Sequence, residues 1–221
     1  MMGAMNRAVF RLAPALFAAG CLAGGCSTYD VKLDSVSRAN PPAADRTSYT
    51  IQNKNPAVAT DSLRYQEATR RIKTALSSRG LWEAPNPSAA DMIVELDYAI
   101  EPAHTIYHKV EVPVYVVADR GVGQMPGREF VGYENEARPV VVREKHLSIS
   151  CRENAPAVED RPASDLWRIS VSIEDERANL RECLPVLAAV VMDQLGKTSD
   201  GATVKQVGQN DQAIAFIKRG L

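Results

Sequence analysis

Three histidines, His104, His108 and His146, are the only imidazoles in the chain, so a nucleophile that needs a nitrogen base beside it must use one of them. No serine stands in a G-x-S-x-G turn, and neither Cys151 nor Cys183 has the sequence context of an active-site cysteine. His104 and His108 lie four positions apart. On an extended chain that spacing leaves them on one face but about 13 Å apart, at roughly 3.3 Å per residue, too far to share a metal ion. Pro102 and the β-branched residues nearby argue against the helix that would bring them together. They are read as strand histidines, with no metal and no cofactor expected. Glu95, Asp97 and Glu101 fall on one side of an alternating stretch, and paired carboxylates can serve general acid–base hydrolysis. The outer face of a half-buried strand carries the same pattern, which is the reading adopted here. Hydrolysis by Glu95 and Asp97 stays as the alternative. Gly121, Gly123 and Gly127 lack the Lys-Ser/Thr of a phosphate-cradling loop and read as turn glycines. The remaining chemistry is aromatic: Tyr107, Tyr115, Phe130 and Tyr133 form a candidate binding surface for a protein or a glycan.

The elements that must position these groups follow from periodicity. Residues 61–79 place Tyr65, Ala68, Ile72, Ala75 and Leu76 on one helical stripe, with Thr60 or Asp61 to cap its start and Gly80 to close its end. Residues 48–52 read as a short strand, and 91–101 alternate as the clearest one. A further strand covers 110–117, where Pro113 implies a sheet edge. The stretch from Asp119 to Pro139, rich in glycine, reads as a long loop or hairpin tip, returning as a strand over 140–151. Another strand covers 166–174. Residues 176–195 read as a helix that Pro185 should kink, with the acids Glu174, Asp175 and Glu176 at its N-terminus. A weak strand near 202–207 and a short helix from Asp211 to Arg219 end the chain. The sum is an α+β fold: a largely antiparallel sheet of about five or six strands with two main helices on one face.

Length and composition fit one globular domain. The 221 residues are 45% hydrophobic and 24% charged, with a net charge of −1, which gives no electrostatic reason to expect nucleic acid. Residues 1–25 carry Arg7 and Arg11 and then an apolar run of about ten residues, the pattern of a secretory signal rather than of a membrane-spanning helix. Leu22-Ala23-Gly24-Gly25-Cys26-Ser27 resembles the lipobox of bacterial lipoproteins, although Ala23 stands where that family prefers an aliphatic residue. The resemblance implies lipid attachment at Cys26, with Cys21 as the competing site, and Ser27 implies an outer-membrane destination facing the periplasm. A plain secreted domain without lipid is the other reading. After removal of residues 1–25 the chain has 24 basic against 27 acidic residues, a net charge of −3. The covalent anchor would then be the main membrane attachment. Residues 26–46 read as a polar tether and 47–221 as the single domain, with a strand–loop–strand excursion at 105–150. Cys151 and Cys183 could close a 31-residue loop worth about 3–4 kcal/mol as a disulfide. Alternatively, both are small buried side chains, one on a strand and one on a helix.

The order of these elements is similar to the DUF4136 type of small bacterial lipoproteins. Thr47-Ser48-Tyr49, the helix with Ile72, Leu76 and Gly80, then Asp91-Met92-Ile93-Val94, and later Leu166-Trp167-Arg168 before a helix carry that resemblance over about residues 47–196. It implies an envelope lipoprotein with an α+β domain and supplies no catalytic residues. The expectation is a non-enzymatic binding or assembly module of the cell envelope that uses the 105–150 region to contact an envelope protein or a cell-wall glycan.

Overall fold

The computed structural model describes residues 28–38, 47–118, 127–154 and 164–220. Eight strands and three helices follow in the order β1 (Thr28–Ser37), β2 (Ser48–Asn53), α1 (Leu63–Ser77), β3 (Trp82–Glu83), β4 (Met92–Ile100), β5 (His104–Ala118), β6 (Gly127–Glu153), β7 (Asp165–Asp175), α2 (Leu180–Gln194), β8 (Thr203–Gly208) and α3 (Gln212–Arg219). Seven strands lie side by side as β3-β2-β4-β6-β7-β1-β8, and β5 pairs with β6 alone.

The sheet is mixed, which corrects the expected antiparallel sheet of five or six strands with two helices. Strand β2 runs parallel to both β3 and β4, while the other pairs are antiparallel. The cause is connectivity. A helix between two strands carries the chain back across the sheet, so the strands on either side of α1 enter in the same direction. One contact sets their register: the Asp91 carboxylate accepts from the Ser48 backbone N–H at 3.0 Å and from its hydroxyl, whose oxygen accepts in turn from the Asp91 N–H at 3.1 Å.

A second correction concerns the expected tether. Residues 28–37 form β1, inside the sheet between β7 and β8, with Val31 and Leu33 buried in the core. Ser35 is buried beside them, and Lys32 and Asp34 point the other way, so the strand carries few apolar markers. Residues 39–46, the signal and both Cys21 and Cys26 lie outside the described residues.

All three helices cover one face. Ile72 and Leu76 of α1, Leu187 and Val191 of α2, and Ile214 and Ile217 of α3 join Val94, Leu96, Leu147, Ile149, Ile169 and Val171 in one core. Ser62, rather than Thr60 or Asp61, caps α1 through Tyr65 N–H at 3.2 Å, and Gly80 follows the helix at φ 77°. Pro185 lies within α2 without dividing it. That helix begins at Leu180, so Glu174 and Asp175 close β7 instead of opening a helix.

The acids at the end of β7 have another role. Lys145 is fully buried on the helix-covered side, its Nζ 3.4 Å from the Asp175 carbonyl oxygen and 3.7 Å from its carboxylate. A buried ammonium without its counter-charge is costly, whereas the Asp175 carboxylate, 28% exposed, can still be hydrated when an apolar chain of similar length replaces Lys145. Asp175→Asn is therefore expected to lower stability by about 2–3 kcal/mol, and Lys145→Met by clearly less, as read from urea unfolding midpoints.

Candidate functional site

The aromatic residues singled out from the sequence sit on an arm. After Ile100 the chain breaks at 101–103 and resumes as β5 along the same edge of β6. Strand β6 is 27 residues long, about 90 Å at 3.3 Å per residue. Its second half, from Arg143 onward, lies in the main sheet between β4 and β7. Its first half carries β5 as its sole partner among the described residues, from Gly127 opposite Ala118 to Val142 opposite His104. A two-stranded ribbon about 50 Å long thus leaves the sheet. Residues 127–139, expected as loop, are strand, and residues 119–126 at the tip lie outside the described residues.

Side-chain alternation assigns the faces. In the sheet, Cys151, Ile149, Leu147 and Lys145 point toward the helices. Continuing the same period, Val141, Pro139, Ala137, Asn135 and Tyr133 occupy that face on the arm, with Thr105, Tyr107, Lys109, Glu111 and Pro113 opposite them. The face that α1 and α2 cover in the domain therefore runs on with no helix over it among the described residues. Tyr107 and Tyr133 are 70% and 68% exposed.

A bulge shapes the outer end. Val114 pairs with Gly132 and Tyr115 with Phe130, so Val131 is the extra residue. Gly132 has φ 148°, a backbone conformation that side chains disfavour. Without the bulge, Phe130 and Tyr133 would face opposite sides. With it, Tyr115, Phe130 and Tyr133 share one face, with ring centroids 5.8 Å and 5.1 Å apart and interplanar angles of 63° and 68°. These are edge-to-face contacts between exposed rings.

The other residues of interest do not join this cluster. His104 and His108 lie on the opposite face of β5, on extended backbone. His146 Nδ1 is 3.2 Å from Glu101. Glu95 and Asp97 face away from the helices, opposite Ser150 and Ser148, and Glu95 is held by Arg152 Nε at 3.3 Å and Ser150 Oγ at 3.4 Å. That face is polar, with Glu95 and Asp97 half-buried and Ser150 buried.

Sequence reasoning missed a groove of about 1060 Å³ between the first turns of α1 and α2. Val58, Leu63, Tyr98, Ile100 and Leu180 give it apolar walls, and Arg64, Arg70, Arg71 and Arg181 line it as well. Arg181 Nε contacts Glu67 at 3.0 Å, and Arg71 donates to the carbonyls of Ile217 and Lys218 at 2.8 Å each. Two of the four guanidinium groups are thus tied into the fold. The groove is assembled from residues more than a hundred positions apart, which no local pattern can announce.

Cys151 and Cys183 are both free, buried thiols, one on β6 and one on α2. Burial pushes the Cys151 thiol up to about 12 and raises that of Cys183 as well. No family model matches the chain, and no curated protein matches it either.

Two expectations follow. Tyr115→Ala, Phe130→Ala and Tyr133→Ala should each leave the thermal midpoint within about 2 °C, because they lie outside the core, whereas Leu147→Ala should cost about 3 kcal/mol. The thiols set an alkaline limit. Groups whose folded pKa is raised keep protons that the unfolded chain gives up, so stability should be complete below about pH 8.5 and fall as pH rises toward 12. Ellman's reagent at pH 8 should accordingly leave Cys151 and Cys183 unlabelled until denaturant is added, which mass mapping of the labelled peptides can check.

Proposed function

We propose that this chain is a lipoprotein of the bacterial outer membrane, anchored through Cys26 and facing the periplasm, that acts as a non-enzymatic binding or assembly module. The observation that supports the reading best is the arm: a ribbon carrying exposed, mutually packed Tyr115, Phe130 and Tyr133 on a face with no cover among the described residues. Aromatic rings already held against one another lose little conformational freedom on binding and offer large contact areas, which suits a protein surface or a sugar ring. In this reading the domain is the rigid base and the arm reaches the partner, an envelope protein or a cell-wall glycan. The lipobox-like residues before Cys26 support the anchor, as does the modest resemblance to DUF4136-type lipoproteins. Among the described residues no helix is long and apolar enough to cross a membrane, and the attachment proposed is the lipid.

Photocrosslinking in cells from positions Tyr115, Phe130 and Tyr133 of the intact chain tests the binding role. One recurrent envelope protein or cell-wall fragment is expected, and absence of any specific product from all three positions would sink it. Fractionation tests the anchor: Cys26→Ala should move the protein from the membrane to the soluble periplasmic fraction. Unchanged fractionation would favour the secreted domain without lipid.

A further inference from the structure

Strand β5 presents an edge with no partner strand among the described residues along its whole length. Such an edge is a template for another strand. Its sequence, His104-Thr-Ile-Tyr-His-Lys-Val-Glu-Val-Pro-Val-Tyr-Val-Val-Ala118, has two full charges, and these stand on either side of Val110. We infer that the β5 edges of two copies of this chain pair antiparallel about a two-fold axis at Val110, joining two arms into a four-stranded ribbon. This goes beyond the binding-module reading, since it uses the edge of the arm rather than its aromatic face.

The symmetry of the charges selects the register. About Val110, each Lys109 stands opposite the partner's Glu111, giving two cross-strand ion pairs. Pairing about Lys109 or Glu111 sets like charge against like. Pairing about His108 or Val112 leaves both charges opposite neutral residues. One register alone therefore satisfies both charges twice over.

The same register continues the packing on both faces. On the aromatic face, Tyr107 already pairs with Pro139, and Pro113 with Tyr133. Pairing about Val110 puts Tyr107 opposite the partner's Pro113. The resulting row across four strands alternates Pro139, Tyr107, the partner's Pro113 and the partner's Tyr133. Thr105 comes opposite the partner's Tyr115, beside the ring cluster. On the other face, Ile106 meets the partner's Val114 and Val110 meets its own copy. The overlap runs from His104 to Val116. Pro113 has no N–H, so it removes at most one ladder hydrogen bond from each strand.

The test uses the full-length chain carrying Val110→Cys, oxidised in intact cells and again after purification in detergent. The native Cys151 and Cys183 are buried. A disulfide-linked dimer is expected. Lys109→Glu or Glu111→Lys in that background should each reduce its yield about tenfold, because both ion pairs become repulsive, and the double swap Lys109→Glu/Glu111→Lys should restore it. A dimer indifferent to these charges would overturn the register, and no dimer would overturn the self-pairing. If the dimer is absent while crosslinks from Tyr115, Phe130 or Tyr133 still capture another envelope protein, self-pairing fails and the binding-module reading stands. If both are absent, both fail.

Discussion

Backbone N–H and C=O groups along β6 need partners over a length that no single neighbouring strand supplies, and the architecture follows from how that need is met. In its second half β6 has a ladder on each side, β4 and β7, and a helix layer above one face. In its first half it has β5 on one side and no second strand among the described residues. The break at 101–103 lets one edge of β6 be served first by β4 and then by β5, so the ladder continues while the layer around it thins from a covered sheet to a bare ribbon. Core and arm are thus two states of one strand, differing in how many neighbours it has.

Within the domain the same strand brings a charge into the core. Lys145 lies at the last position that the helices cover, just where the arm departs, and Asp175 ends β7 beside it. Their pairing marks the boundary electrostatically: inside it the face is aliphatic, and outside it the same period runs Arg143, Val141, Pro139, Ala137, Asn135 and Tyr133. A lysine here ties the end of one strand to the middle of another, which an apolar residue could not do with the same directionality.

Elements with strong periodicity were legible in the sequence. The stripe of Ile72, Ala75 and Leu76 and the alternation of Met92, Val94 and Leu96 place α1 and β4 close to their observed bounds. Strand β1 was not, because Ser35 fills an inward position and only Val31 and Leu33 mark the core side. The direction of β2 relative to β4 was also missed, since periodicity reports which face is buried and is silent on strand polarity. Residues 127–139 were misread because glycines and prolines usually break strands, whereas here Gly132 serves a bulge and Pro139 stands on a strand with one partner among the described residues. The aromatic residues of the site were visible by type. Their gathering on one face depended on a one-residue bulge that composition does not encode.

The route of β6 through the sheet has a mechanical side. A load applied to the arm enters the domain along the axis of a central strand, so it acts as shear on the ladders to β4 and β7 together. Many hydrogen bonds then resist at once, whereas a load on an edge strand such as β8 could peel them one by one. The arm is a lever seated in the stiffest part of its base, and displacement at its tip is carried to the middle of the sheet with little to absorb it except the break at 101–103.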